Sequence, residues 1–447
     1  MTLAMPMVAV LFAPPPPAGV SSEPLSVGGL GLLERQIRQV RRAGATRIVV
    51  LGPRDWSQSD DDVVIAVSST ALARLIGEDE TVLLVAPGLV VDERIFAVVV
   101  AAIPATAASA PVIATWPAIG PGLRGGTERI DAGSFSAGVG RYPGAMVREI
   151  AARLGDWDMQ STLLRTALAD PLVYRLDLAS VPLHAPDRSR AVPLVWEQPG
   201  DADAALIATG ALLAAAQKSC LDWPARFIHP PIENAAVKLL LAGPVSPTMV
   251  GVASLVIGAA AAIAFADGWL WTGLALALVC GPLRGIDDRL ARVRLEASRL
   301  ADPDHVADKL VEYGWYIGLA AHFAKVGGNV GPYAVAALLI GFSLADYLQA
   351  GFFRRFTGTT LDNAGAFERN LRLLGARRNT LTWALLPFAA AGAWYAGFGV
   401  LAAYAVATFF VSQQRLFKRL GDYARARSST IDRNFAATAP LPDDVGV

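Results

Sequence analysis

The chain has 447 residues, of which 53% are hydrophobic and 17% charged, a composition too apolar for an ordinary soluble enzyme and a length sufficient for two domains. Its 39 basic and 39 acidic residues cancel, which removes any bulk electrostatic case for binding nucleic acid. The two cysteines, Cys220 and Cys280, lie far apart, so neither a disulfide framework nor a cysteine-based metal site is expected.

The opening MTLAMPMVAVLFAPPPP has no basic n-region and no small-residue cleavage site, so no signal peptide is expected. MVAVLF at 7–12 reads as a buried strand. In GLLERQIRQVRRAGATRIVVLG, Leu33, Ile37 and Val40 recur at helical spacing, Gly44 stops the helix, and IVVL resumes a strand, giving a βαβ unit. TVLLVAP supplies a further strand. The uncharged run from Ile95 to Trp116 is long enough to cross a membrane, but Pro104, Pro111 and its small residues point to a buried helix and strand. Residues 1–215 are therefore expected to form a doubly wound α/β domain.

The string EPLSVGGLGLLERQIRQVRRAGATRIVVLG resembles the start of a sugar-phosphate nucleotidyltransferase domain, and WEQPGDAD at 196–203 resembles its closing segment. The chemistry of that family is not retained. Pro14 to Pro17 stand where its glycines offer backbone amides to a nucleotide, Glu23 stands at its lysine position, and Leu89 at that of its metal-binding aspartate. An inactive nucleotidyltransferase-like domain is expected. Asp92 and Asp131 are left as either site residues or exposed loop carboxylates.

Residues 216–246 read as a linker with an interfacial helix over 226–241, on the cytoplasmic leaflet or packed on a bundle. Six candidate spans follow within 247–420, near 248–266, 269–283, 310–324, 332–353, 380–398 and 400–414. Arginines and lysines concentrate after the second, fourth and sixth, whereas the opposite connections hold only Lys325. Both termini are thus expected on the cytoplasmic side of a cell inner membrane. Trp269, Trp271, Trp315, Tyr316, Trp394 and Tyr395 are candidate interfacial anchors. Asp346 and His322 are candidates for a polar cavity or for hydrogen bonds inside the bundle. Residues 421–447 are expected to be disordered.

The chemistry concentrates in GIDDRLARVRLEASRLADPDHVADKL, 285–310, where carboxylates and arginines sit between two apolar segments, at the depth where a membrane meets water. Positions 284, 287, 288 and 291 share a helix face, and 304 and 308 are stacked one turn apart on another. Two such helices could hold a hard divalent ion over a pyrophosphate, with Arg292 as a phosphate partner. The stretch resembles the CDP-alcohol phosphotransferase signature, D-x2-D-G-x2-A-R-x8-G-x3-D-x3-D. With Ala291-Arg292 on its A-R, Asp287 takes the second aspartate, Arg284 the first and Asp288 the glycine, and with one residue fewer in between, Asp304 and Asp308 take the third and fourth. The resemblance implies an all-α six-helix transmembrane bundle, pairing of two copies as a homodimer, and bound Mg2+ or Mn2+. It also implies transfer of a phospho-alcohol group from a CDP-linked alcohol donor to a hydroxyl acceptor among membrane lipids. Asp287, Asp304 and Asp308 would hold metal, Asp308 would also serve as base, Arg292 would bind phosphate, and Asp288 would be an optional ligand. Arg284 admits two readings: an ion pair with Asp288 at i,i+4, or a site in which Asp288 substitutes as ligand. The alternative for the whole chain is a membrane scaffold or regulator without turnover. The N-terminal domain followed by this one resembles bifunctional enzymes that make CDP-inositol and then transfer inositol phosphate.

Overall fold

The computed structural model describes residues 7–13, 25–53, 61–102, 110–118, 128–154, 158–185, 190–217, 222–296 and 306–437. They fall into two units, one of Met1–Ala185, Ala191–Gln217 and Arg292–Glu296, the other of Pro186–Arg190, Lys218–Ala291 and Ala297–Val447. Pro14 to Pro17, Glu23 and Cys220 lie outside the described residues.

The first unit is an α/β sandwich. Its elements are β1 (Met7–Phe12), α1 (Leu32–Arg42), β2 (Arg47–Leu51), β3 (Val63–Ala66), α2 (Ser69–Leu75), β4 (Thr81–Val85), α3 (Glu93–Ala101), β5 (Val112–Pro117), β6 (Ser134–Pro143), α4 (Gly144–Arg153), α5 (Met159–Ala169), β7 (Tyr174–Asp177) and α6 (Ala202–Ala216). The sheet order is β7-β5-β6-β4-β1-β2-β3. All neighbours are parallel except β6, which runs antiparallel to both β4 and β5.

Strand alternation explains the layers, because successive side chains leave opposite faces of a sheet. Ala9, Leu11, Ile48, Val50, Leu83 and Val85 pack on Leu33, Ile37 and Val40 of α1 and on Ile95, Phe96 and Val99 of α3. Val8, Val10, Val49, Val82 and Leu84 face the other way, onto α2, α4 and α5. With both faces covered, the central strands are uniformly apolar, as parallel sheets require. Within 95–116, the described residues form the expected helix, to Ala101, and strand, from Val112.

The loop after β4 is built for packing. Leu89 is 1% exposed within the core, and Gln36 of α1 donates to the carbonyls of Ala86 (2.7 Å) and Leu89 (3.0 Å). Asp92 is no exposed loop carboxylate: it is buried, caps α3 by accepting from the Arg94 amide, and pairs with the Arg94 guanidinium at 2.9 Å. Asp131 is exposed and pairs with Arg175 at 2.5 Å.

The second unit is helical: α7 (Trp223–Phe227), α8 (His229–Leu241), α9 (Pro247–Ala266), α10 (Leu270–Val293), α11 (Val306–Gly327), α12 (Gly331–Thr357), α13 (Ala366–Leu374), α14 (Arg378–Ala390) and α15 (Trp394–Ala437). Helices stand at all six expected spans, but three of them are long and apolar enough to cross a membrane: Pro247–Ala266, Gly331–Thr357 and Trp394–Ala426. α14 has 13 residues, fewer than the ~20 that a bilayer core needs, while α10 and α11 are charged over part of their length. The turn between α14 and α15 falls at Gly392, with φ +70°, rather than near residue 399. α15 also continues through Ala437, so 421–437 is helical where disorder was expected.

α9 and α11 approach closely. A Cβ at Gly258 would lie 2.3 Å from Val311 Cγ1, and Trp315 Nε1 donates to the Gly258 carbonyl at 2.8 Å. The aromatic expectation divides. Trp269, Trp271 and Tyr395 are exposed, as interfacial anchors would be, whereas Trp315, Tyr316 and Trp394 are buried in the helical core. Asp346 pairs with Arg377 at 3.3 Å and accepts from Ser412 at 3.2 Å, an interior polar contact between α12, α15 and the segment before α14.

Candidate functional site

α10 changes character along its length. Its first half contributes Leu274, Ala277 and Cys280 to the core, and its second carries Arg284, Asp287, Asp288 and Arg289. Arg284 and Asp287 are three residues apart and therefore share a face. Asp308 lies in the first turn of α11, where the helix dipole favours an anion.

These residues meet. Arg284 Nη1 lies 3.1 Å from Asp287 and Arg284 Nε lies 3.3 Å from Asp308, so one guanidinium joins carboxylates of consecutive helices. Arg378, in the first turn of α14, reaches Asp308 at 3.6 Å, with its guanidinium 6.0 Å from the Trp315 ring. Asp287 is 0% exposed, and Asp308 and Arg378 are mostly enclosed. Arg284 thus reaches Asp287 on its own helix and Asp308 on the next.

The oxygens of Asp287 and Asp308 suit a hard divalent ion. Arg284 already engages both, so a metal and this guanidinium are competing occupants. Among the described residues, no group of three or more histidine, cysteine, aspartate or glutamate side chains is placed to hold a metal. Asp304 lies outside the described residues. Asp288 is half-buried, close enough to Glu233 for its charge to raise that carboxyl. Arg292 groups with the first unit, where its Nη1 donates to the Ala216 carbonyl at 3.0 Å, at the end of α6. Beyond Asp308, Lys309 donates to Glu312 (2.8 Å) and Ser343 (2.9 Å), and Tyr316 donates to Glu312 at 2.8 Å.

A second polar cluster, missed in the sequence, lies beside this one. Glu233 of α8 pairs with Arg289 of α10 at 2.9 Å, and Arg289 also donates to Asn234. His229 is 1% exposed, and Asn379 at the start of α14 donates to Asp222 at 3.1 Å. Burial pushes the Glu233 carboxyl up to about 7, against the pull of Arg289, while Asp288 and Asp222 push it further up. Burial likewise lowers His229. The available signal was the i,i+4 spacing of His229 and Glu233, two polar residues on one face of a helix whose other faces are largely apolar.

Two outcomes follow from these geometries. Arg284→Ala leaves two enclosed carboxylates without their shared cation, and should cost about 3 kcal/mol, read as a lower thermal midpoint in detergent and partly recovered by Mg2+ or Mn2+. Glu233 binds its proton more tightly folded than unfolded, so its contribution to stability is full below the ordinary glutamate pKa and is lost as pH rises through about 7. The midpoint should fall between about pH 5 and about pH 8 in the native protein, and the fall should shrink in Glu233→Gln.

No protein-family model matches the sequence, and no curated protein matches it. Among solved structures, the chain is similar to the phosphatidylinositol phosphate synthase of Mycobacterium tuberculosis with CDP-DAG bound. Identity is 17% and the TM-score 0.34, covering 42% of this chain and 94% of that one. Likeness at that level assigns neither an activity nor residue roles.

Proposed function

We propose that this chain is an integral membrane protein of the CDP-alcohol phosphotransferase type, acting at the cytoplasmic face of a membrane in the synthesis of phospholipid or a related polar lipid. The observation that carries this reading is the convergence of Asp287 and Asp308, from the two halves of the motif, on one point at 3.1 and 3.3 Å from Arg284. Among the described residues, three helices long and apolar enough to cross a membrane supply the setting.

In the proposed reaction the hydroxyl oxygen of an acceptor attacks the phosphorus that joins the alcohol to CMP. The new oxygen–phosphorus bond forms as the bond to CMP breaks, Asp308 takes the hydroxyl proton, and CMP leaves. Asp287, Asp304 and Asp308 would hold Mg2+ or Mn2+, which when bound would neutralise pyrophosphate charge. Asp288 is an optional ligand in this reading, and Arg292 the phosphate contact. The first unit is read as a nucleotidyltransferase-like domain without turnover, supported by the apolar, core-buried Leu89.

One observation favours a second reading, a membrane scaffold or regulator that has lost turnover. Arg284 holds both described motif carboxylates and is itself largely enclosed, so the pair is stable as an ion-paired cluster without any ligand.

Calorimetry of CMP with the full chain in detergent, with and without Mn2+, separates the two. The phosphotransferase reading expects metal-dependent CMP binding that Asp308→Asn reduces at least tenfold while the thermal midpoint shows the variant folded. No CMP binding to the folded native chain, with or without Mn2+, overturns that reading and leaves the scaffold.

A further inference from the structure

Helix α10 is intrinsically weak just before its aspartates. Gly281, Pro282 and Gly285 fall inside it, and a proline there removes one backbone hydrogen bond while glycine lowers helix propensity. A helix with such a segment does not by itself fix the direction in which Asp287 and Asp288 point.

α8 lies against this segment with two polar side chains at matching spacing. His229 and Glu233 are four residues apart on α8, as Gly281 and Gly285 are on α10. A Cβ added at Gly285 would stand 1.9 Å from Glu233 Oε1 and 2.3 Å from Glu233 Cδ. One at Gly281 would stand 2.6 Å from His229 Cε1 and 2.9 Å from Asn379 Oδ1. The two glycines are thus a notch, and the His229–Glu233 ridge fills it. Arg289, one turn beyond Gly285, closes on Glu233 at 2.9 Å, so Asp287 and Asp288 lie between the notch and its clasp. Shape alone would be met by apolar residues. A buried side-chain oxygen clasped by a buried guanidinium instead specifies one register, since a slip breaks the Arg289 contact that a carboxyl or an amide oxygen at 233 can accept.

We infer that α8 is a latch on the motif helix: the His229–Glu233 ridge, seated over Gly281 and Gly285 and clasped by Arg289, sets the rotation of α10 and with it the placement of Asp287 and Asp288. His229, Glu233, Gly281 and Gly285 are positioning residues. Only the ligand readout below rests on the phosphotransferase reading.

The test is hydrogen exchange over residues 278–291 of the full chain in detergent, without nucleotide, followed by Mn2+-dependent CMP binding. The variants are Gly285→Ala, Glu233→Ala and Glu233→Gln, with Gly341→Ala as a control, since no heavy atom lies within 4 Å of a Cβ at that position. Exchange in 278–291 should rise at least tenfold in Gly285→Ala and Glu233→Ala, with α12 and α15 unchanged, and should stay near native in Glu233→Gln and Gly341→Ala. CMP affinity should fall in the first two and persist in the others. Should Gly285→Ala not fold, Glu233→Ala, which removes atoms and introduces no overlap, is decisive alone. Native exchange in a folded Glu233→Ala overturns the latch, as does a uniform rise across the helical unit. If exchange responds as expected while even the native chain binds no CMP, the latch stands and the phosphotransferase reading fails.

Discussion

The helical unit depends on one guanidinium shared by two carboxylates. Asp287 is completely enclosed, and a lone carboxylate there would carry a desolvation cost of several kcal/mol. Arg284, one turn back on the same helix, neutralises it and reaches across to Asp308 at the start of α11. Consecutive helices are thereby fastened at their charged ends, while Leu274, Ala277, Trp315 and Leu319 hold their apolar lengths together. The cost of polar burial at one end is set against close packing at the other. Arg378 extends the balance by opposing Asp308 from α14, so two carboxylates face two guanidiniums. This neutrality gives the site its double character. The oxygens that could receive a divalent ion are the ones that stabilise the fold, and the occupant of that position decides between chemistry and architecture.

The first unit shows the opposite economy, because almost everything around its sheet is apolar. Where the resemblance to nucleotidyltransferases would call for a metal-binding carboxylate, Leu89 packs into the core and Gln36 ties down the carbonyls around it. Polar groups there serve helix caps and loop anchors, as with Asp92 on α3 and Asp201 on α6.

Much of this was legible in the sequence. Leu33, Ile37 and Val40 announced α1, and MVAVLF and IVVL announced central strands, because burial on both faces leaves no other composition available. β6 was not legible: SFSAGVGRYP carries two glycines and an arginine, and its antiparallel place depends on neighbours far away in sequence. The charged cluster at the end of α10 was legible as a break in apolar sequence. The reach of Arg284 to Asp308 was not, since that partner stands on the next helix, outside any i,i+3 or i,i+4 relation. The Glu233–Arg289 pair was hidden for the same reason, its members standing on helices either side of α9 in the chain. Span counting read apolar runs correctly as helices, but length and charge, not helicity, decide what crosses a bilayer. Buried Trp315 and Trp394 show that an aromatic near a span end is as readily core as anchor.

A double-mutant cycle on Arg284 and Asp308 addresses the central claim most directly: unfolding of the full chain in detergent, measured for Arg284→Ala, Asp308→Ala and the pair together. The shared-guanidinium account predicts that the double variant is less destabilised than the sum of the single ones, by about 2 kcal/mol. Additive effects would mean that the two side chains do not interact across α10 and α11, and would contradict the account.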